Sequence, residues 1–242
     1  MIARESGFAS WPKLKAHVDA HSTTSQTQSD LVSPGPEATA AQVIESRGGQ
    51  IEVDAKGHVR FVNIFKVKVS EAMMKSLAAL PYLQRLYLFK AGVRDKDLRY
   101  LEALTSLKEL VLARTLVGDA GLSLLSDLVN LEVLSLDRTY VTDMGLVHLV
   151  GLTHLKKLTL NRTGVRDVGL RHLQGLTNLQ DLGLNRTPVS DTGLAYLTLT
   201  DAGVAHLLGL VQLRKLDLRC TQVTDAGIDK RKQARPNCKV CH

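Results

Sequence analysis

The sequence has few aromatic residues, few cysteines and no long apolar run. Aromatic side chains make up 4% of the 242 residues, so a core must be built from aliphatic side chains. No apolar stretch approaches the roughly 20 residues that span a bilayer, and the first residues lack the apolar segment of a secretory signal. Three cysteines near one end, Cys220, Cys238 and Cys241, do not make a disulfide framework. We therefore expect a cytoplasmic protein without a membrane span.

Leucine, by contrast, recurs with a fixed period. Four segments of 24 residues align without gaps, and they begin at Leu104, Leu128, Leu152 and Leu176. Looser copies begin near Lys56, at Leu80 and at Leu210. Self-similarity at such a period is typical of a solenoid, in which stacked units bury the apolar face that one unit cannot cover alone.

Each unit changes its hydrophobic period halfway. The first half, L-x-x-L-x-L, has the period of two that is expected of a short strand, and the second half, D-x-G-L-x-x-L, has helical spacing. The pattern predicts strands centred on residues 62, 86, 110, 134, 158, 182 and 216, joined in one parallel sheet. It also predicts that an aspartate at the start of each helix is the N-cap, at Asp119, Asp143, Asp167, Asp191 and Asp225.

The unit L-x-x-L-x-L-x-x-T-x-V-x-D-x-G-L resembles the leucine-rich repeats of bacterial proteins and of the ribonuclease-inhibitor-like class. The resemblance covers about residues 42–240 and implies an α/β fold, a solenoid with a parallel sheet on its concave side and short helices on its convex side. Threonine stands where the family has asparagine or cysteine, and we expect its hydroxyl to bond the turn backbone at Thr115, Thr139, Thr163, Thr187 and Thr221. The family mostly binds other proteins, so the resemblance implies an interaction module.

The repeat period breaks once, between Leu182 and Leu216, where the step is 34 residues. The segment 200–207 repeats the helix half of a unit without a strand half, so the ten surplus residues should lie on the convex side. Either a partly deleted repeat or a dedicated insertion explains this break, and the first is more economical.

The ends of the chain differ in composition from the repeats. We predict an amphipathic helical segment over 1–21, a disordered linker over 22–37, an N-terminal cap of helix plus hairpin over 38–58, the solenoid over 59–229 and a basic tail over 230–242. The first segment resembles the terminal part of some bacterial ankyrin-repeat proteins. Either the sequence is a fragment of a longer gene product, or the helix after Pro12 docks elsewhere through Trp11, Leu14 and Val18.

Two groups of residues suggest cofactor chemistry. Cys238, Cys241 and His242 spell C-x-x-C-H, the attachment pattern of c-type haem, and Cys220 could complete a zinc site instead. Export would be needed for haem attachment, so we expect these residues to be inert and no cofactor to be bound. His148, His172 and His206 occupy one position of successive helices, about 10 Å apart, which is too far for shared metal ligation at about 2 Å.

The residues between the strand leucines should face outward from the sheet. One column of this surface is cationic in six successive repeats, at Lys66, Lys90, Arg114, Arg138, Arg162 and Arg186, and the N-terminal repeats add three aromatic side chains, Phe65, Tyr87 and Phe89. These nine residues are the candidate partner-binding site. Alternatively, each cation is held locally, over the threonines or by Asp137, Asp181 or acidic residues on the turns.

No G-x-S-x-G, P-loop or G-x-G-x-x-G motif is present, so we predict no enzyme. The function we expect is binding of a protein on the concave face, and the formal net charge of +7 favours an acidic partner. The alternative is binding of nucleic acid or another polyanion through the cationic column and Lys230, Arg231, Lys232 and Arg235. Aromatic residues that could stack on bases stop after Phe89, which disfavours it.

Overall fold

A computed structural model describes residues 35–195, 210–234 and 236–242. The predicted helical segment over 1–21, the linker as far as residue 34 and the segment 200–207 lie outside these residues.

In the described part of the chain, nine strands form one sheet and follow one another across it in chain order. They are β1 (Gln50–Val53), β2 (Val59–Asn63), β3 (Arg85–Tyr87), β4 (Glu109–Val111), β5 (Val133–Ser135), β6 (Lys157–Thr159), β7 (Asp181–Gly183), β8 (Lys215–Asp217) and β9 (Lys239–Cys241). The α-helices are α1 (Pro36–Ser46), α2 (Glu71–Ala78), α3 (Asp119–Ser123), α4 (Asp143–Leu146), α5 (Asp167–Leu170), α6 (Asp191–Ala195) and α7 (Asp225–Ala234), and 3₁₀ turns cover Asp95–Leu101, Val147–Leu149 and Arg171–Leu173.

The strand register follows the leucines. Val62 pairs with Leu86, Leu86 with Leu110, and the same position continues through Leu134, Leu158 and Leu182 to Leu216. All pairs from β2 to β9 are parallel, and only β1 and β2 form an antiparallel pair. The predicted α/β leucine-rich-repeat solenoid and its continuous parallel sheet are therefore confirmed.

The core is a single aliphatic spine between the sheet and the helices. The strand leucines Leu110, Leu134 and Leu158 are 0% exposed, as are the helix leucines Leu122, Leu146 and Leu170. Each repeat contributes the same apolar positions, so the buried surface of one repeat continues into the next.

The helix aspartates do not act as the sequence predicts. In α4 the N-cap is Thr142, and Asp143 is the first helical residue. Its carboxylate instead accepts the backbone N–H of Arg166 in the following repeat, at 2.7 Å. The same bond from one repeat to the next joins Asp95 to Gly118, Asp119 to Thr142, Asp167 to Ser190 and Asp191 to Thr224. The prediction of N-caps was wrong for Asp119, Asp143, Asp167 and Asp191, because these carboxylates bond the start of the next helix. Asp225 is likewise the first residue of its helix and not the residue before it.

A glycine in each of the helices α3 to α7 makes room for the aspartate of the preceding repeat. A Cβ on Gly169 would lie 2.3 Å from the Asp143 Oδ1 atom and 3.0 Å from the Asp143 Cα atom. Gly145 and Gly193 have the same relation to Asp119 and Asp167. The glycine of D-x-G-L is thus required by contact between repeats.

The threonines behave as predicted. The hydroxyl of Thr139 donates to the Leu136 carbonyl at 2.6 Å, and Thr115, Thr163, Thr187 and Thr221 make the same bond at 2.6–2.7 Å. Each bond closes the turn that follows a strand of the same repeat.

The two ends of the described solenoid are built differently. At the start, α1 packs against the hairpin of β1 and β2, and its Glu37 carboxylate accepts the Val59 N–H at 2.7 Å. The sequence also predicts a helix from Pro36 to Arg47, and Pro36 and Glu37 do begin the observed helix, although our domain boundaries place them in the linker. At the other end, the segment that we described as a basic tail contains the end of α7 and the last strand, β9, where Val240 pairs with Leu216. None of the described helices has the length and apolar composition needed to cross a membrane.

The burial of Leu158 predicts a large effect on stability. Leu158→Ala should lower the free energy of unfolding by about 2–5 kcal/mol, because it leaves a cavity in the spine. Arg162→Ala, four residues later in the chain on an exposed turn, should cost less than about 1 kcal/mol. Denaturant titration of both variants measures the difference, and equal losses would contradict the packing.

The contact between repeats predicts a second effect. Gly169→Ala should destabilise the fold, since its Cβ would push against Asp143, whereas Gly175→Ala should be neutral or slightly stabilising, because nothing lies within 4 Å of its Cβ position. Thermal unfolding of the two variants checks this. A harmless Gly169→Ala would show that the aspartate does not need this close approach.

Candidate functional site

The predicted aromatic residues divide into a stacked pair and a third ring that is held separately. The rings of Phe65 and Phe89 stack with their centroids 5.5 Å apart and their planes 13° from parallel. Tyr87 meets Phe61 edge to face at 5.0 Å. All three predicted aromatic side chains are half-buried, so the fold brings them to one end of the sheet with part of each ring accessible. We call Phe65, Tyr87 and Phe89 the aromatic patch.

Tyr87 is fixed by a hydrogen bond as well as by packing. Its hydroxyl donates to the Glu109 Oε2 atom at 2.6 Å. Burial and this bond to a carboxylate raise the pKa of Tyr87 far above its ordinary value. The phenol is therefore a neutral donor committed to Glu109, and the Phe65–Phe89 pair forms the more adaptable part of the aromatic patch.

The cationic column lies just after the strands and not within them. Each of its six members follows a strand by three residues and has a left-handed backbone, with φ between 54° and 59°. Cys220 occupies the same position in a seventh repeat, with φ 55°. We call the six cations the turn row. Four of them are exposed, and two, Arg114 and Arg138, are half-buried.

Backbone hydrogen bonds fix the spacing of the turn row. The N–H of Arg114 donates to the Asp137 carbonyl at 2.8 Å, and that of Arg138 donates to the Asn161 carbonyl at 2.8 Å. Equivalent bonds at 2.8–3.1 Å join the turns at Lys66, Lys90, Arg162 and Arg186 to the next repeat. The row therefore keeps the strand spacing of about 4.8 Å, and its six members span about 24 Å.

The first three cations lie near the Phe65–Phe89 pair of the aromatic patch. The Lys66 Nζ atom lies 4.8 Å from the centre of the Phe65 ring, and the Lys90 Nζ atom lies 6.0 Å from that of Phe89. The guanidinium of Arg114 is also near Phe89, at 5.7 Å. The fold thus joins the aromatic and cationic residues into one surface at the N-terminal repeats.

The two carboxylates proposed as local partners of the cations are engaged elsewhere. Asp181 lies 3.7 Å from the Lys157 Nζ atom and 3.8 Å from that of Lys215. Asp137 accepts the backbone N–H of Asn161 at 2.9 Å. Among the described residues, no carboxylate lies within the 4.0 Å of an ion pair from the cations Lys66, Lys90, Arg138 or Arg186.

A ladder of polar side chains, which the sequence did not reveal, lies beside the turn row. Asp137 accepts the backbone N–H of Asn161, and the Asn161 Oδ1 atom accepts that of Asn185 at 2.8 Å. Gly183 leaves room for this ladder, since a Cβ there would lie 2.9 Å from the Asn161 Nδ2 atom. Burial raises the pKa of the Asp137 carboxyl, while its bonds from Asn161 act in the opposite direction.

A groove at the opposite ends of the strands was also missed. It has a volume of about 400 Å³ and is lined by Gln84, Ser106, Lys108, Asn130, Glu132, His154 and Lys156. Its one carboxylate is already paired, because Glu132 lies 2.6 Å from the Lys156 Nζ atom and 3.9 Å from that of Lys108. The bond from Lys156 lowers the pKa of Glu132, so the groove offers no unsatisfied charge from this carboxylate.

The C-terminal cysteines do not meet in one site. Cys238 is buried in the aliphatic core, whereas Cys241 is half-buried in β9 and Cys220 is exposed. A core thiol cannot reach the vinyl group of a haem held by Cys241, so the C-x-x-C-H pattern does not fit haem attachment here. In the described part of the chain, no three His, Cys, Asp or Glu side chains are grouped as metal ligands. His148 and His172 are half-buried, and His206 lies outside the described residues.

Comparisons with known proteins agree with the architecture. The family model described as Leucine Rich repeat matches residues 212–230. An internalin from Listeria monocytogenes is similar in structure, with a TM-score of 0.55, 21% identity and coverage of 75% of this chain. Internalin C2 of the same organism gives a TM-score of 0.54, 21% identity and coverage of 85% of this chain and 92% of its own. No curated protein matches the sequence.

The architecture is that of the bacterial leucine-rich-repeat solenoids. At this level of identity the likeness concerns the fold alone. The chain spans 52% of the length of the first internalin, so the activity of that whole protein is no guide to this one.

The buried carboxyl predicts an unusual pH dependence. Because the pKa of Asp137 is raised above its ordinary value of 3.8, the folded protein holds this proton more tightly than the unfolded chain does. The contribution of Asp137 to stability is therefore greatest below pH 3.8 and is lost as the pH rises through the raised pKa of this carboxyl. Relative to wild type, Asp137→Asn should gain stability as the pH rises above 3.8, as measured by urea unfolding at a series of pH values.

Asp54 supplies the control with the opposite sign. Desolvation raises its pKa, but hydrogen bonds from Arg60 and from the N–H groups of Lys56 and His58 outweigh it and lower the pKa to about 2. The loss of stability in Asp54→Asn should be full above 3.8 and should shrink as the pH falls toward about 2. Parallel pH profiles for the two variants would contradict the burial of Asp137.

Proposed function

We propose that this chain is a non-enzymatic interaction module that binds a partner protein on the concave face of its sheet. The main support for the proposal is that the aromatic patch lies beside the first cations of the turn row. Half-buried aromatic rings are the side chains that most often dominate a protein interface, because they bury a large area with little loss of conformational freedom.

The Phe65–Phe89 pair suits the centre of such an interface. Its rings are already ordered by stacking, so a partner would not have to order them. The cations Lys66, Lys90 and Arg114 lie around the pair and would orient an acidic partner during approach. The rest of the turn row continues this positive edge toward the later repeats.

Nucleic acid is a weaker candidate for the same surface. Proteins that bind single strands without sequence preference stack successive bases on aromatic rings along the groove. Here the later positions beside the turn row are Ala113, Asp137, Asn161 and Asn185, which offer no ring. Of the additional basic residues proposed for this role, Lys232 is exposed, and the structure does not describe the side chains of Lys230, Arg231 and Arg235.

The three free thiols support a reducing compartment, and we propose a cytoplasmic location. No bound cofactor is needed for the proposed role, because the binding energy would come from the aromatic patch and the turn row.

The proposal predicts loss of partner capture when the aromatic patch is charged. In affinity capture from a lysate with identification by mass spectrometry, Phe89→Asp should remove a protein that the wild-type chain retains, because the substitution places a carboxylate in the centre of the interface. The captured protein should then bind the purified wild-type chain directly, with Kd raised about tenfold or more by Phe89→Asp.

Tyr140→Asp is the matched control, since Tyr140 is 68% exposed on a later repeat and outside the aromatic patch. It should leave capture unchanged. Equal loss in both variants, or capture insensitive to Phe89→Asp, would refute the assignment of the site. Salt-sensitive retention of the chain on heparin that is lost when the cations of the turn row are replaced would favour the polyanion alternative.

A further inference from the structure

The turn row carries a charge that the fold itself does not need. Its residues have the left-handed backbone that glycine and asparagine adopt most readily, yet lysine or arginine stands there in six repeats. Cys220 adopts the same conformation with φ 55°, so an uncharged side chain fits this turn. The backbone therefore explains neither the size nor the charge of the six residues.

Ion pairs within the described residues do not account for the charge of four of the six members, Lys66, Lys90, Arg138 and Arg186. Like charges about 4.8 Å apart repel each other, and salt screens exposed charges only in part. These four cations have no ion-pair partner among the described residues, and the nearby carboxylate Asp181 is shared by Lys157 and Lys215. A row of cations that repel one another and are not required by their turns is best explained by an anionic ligand outside the chain.

The spacing of the row distinguishes between kinds of acidic ligand. An α-helix that lies along the row presents one carboxylate per turn, every third or fourth residue, with a rise of about 5.4 Å per turn. Five such turns cover about 27 Å, close to the row's length of about 24 Å. A β-strand presents one side every second residue, about 6.6 Å apart, and would cover about 33 Å over the same number of contacts. The helix keeps its carboxylates near the cations along the whole row, and the strand does not.

We propose that the turn row binds an α-helical segment of a partner protein that carries one carboxylate per turn along one face. This inference rests on the proposed function and names the chemistry of its partner. The helix lies along the row, across the repeats, with its carboxylates on the cations from Lys66 to Arg186. An apolar side chain at one end of the helix contacts the Phe65–Phe89 pair.

Synthetic peptides test the proposal. The first probe is a stapled helical peptide of about 22 residues, with one glutamate for each member of the row on a single face. The second contains the same residues rearranged so that glutamates alternate with neutral residues and face one side of a strand. A single-stranded oligonucleotide of similar charge is the third. Fluorescence anisotropy measures the Kd of each for the full chain at low salt and at about physiological ionic strength.

Two triple variants with the same change in net charge separate the row from general attraction. The first replaces Arg138, Arg162 and Arg186 by asparagine, which the left-handed turn accepts. The second replaces the exposed cations Lys96, Arg166 and Arg171 by asparagine on the helical side. Thermal unfolding establishes that both variants fold.

The helical peptide should bind the wild-type chain at least about tenfold more tightly than its rearranged isomer and the oligonucleotide. The first variant should raise its Kd about tenfold or more, and the second should change it little. Equal affinity for the two peptides, tighter binding of the oligonucleotide, equal loss in both variants, or no binding of the helix would overturn the proposal. If it fails while capture of the natural partner still depends on Phe89, the interaction module stands and only the helical chemistry is wrong.

Discussion

One carboxylate per repeat ties the start of a helix to the repeat before it. The bond from the Thr142 N–H to Asp119, and its equivalents along the solenoid, satisfy a backbone donor that a short helix would otherwise leave unpaired. Because the carboxylate belongs to a different repeat, the bond also fixes the distance between repeats. The small helix glycine, the aligned strand leucines and the parallel sheet register are all compatible with that one spacing.

The same spacing determines what the outer surface can present. A residue at a given position of the unit stands beside its equivalents in the next repeats, so any side chain that recurs becomes a line of identical groups. On the inner side this produces the leucine spine. At the ends of the strands it produces the turn row, in which backbone hydrogen bonds hold the charges at the strand spacing whatever their mutual repulsion.

The sequence predicted the features that follow from the leucine pattern and missed the side-chain hydrogen bonds that join one repeat to the next. Leucine periodicity located the sheet, its parallel direction and its buried side, because burial depends on the pattern within each unit. The role of Asp143 was misassigned because an aspartate before a helical pattern has the same local signature whether it caps its own helix or the next one. The hydrogen bond from Asn161 to Asp137 was not predicted because the two residue types differ, although both residues occupy the same position in successive repeats.

The turn row illustrates a second limit of sequence reasoning. We extended the in-and-out alternation of strand residues past the ends of the strands. The cations were therefore expected on the sheet itself and not in the turns that follow it. Lysine and arginine give no local sign of a left-handed backbone, which would have been evident with glycine or asparagine in the same place. The stacked turns impose that conformation on them, and in four of the six a threonine hydroxyl closes the turn.

The long step between β7 and β8 has a consequence for how such chains change in length. Leu182 pairs with Leu216 in the same register as the strands of all the other repeats. Asp191 still accepts the N–H of Thr224, although the two residues are 33 positions apart in the chain. The strand pairing and the aspartate bond thus depend on where the chain re-enters the sheet and not on the length of the connection before it. The entropic cost of a longer connection grows only logarithmically with its length. Insertions and deletions in the connection between β7 and β8 should therefore have little effect on the neighbouring repeats. Evolution, or a designer, can add sequence there without rebuilding the solenoid.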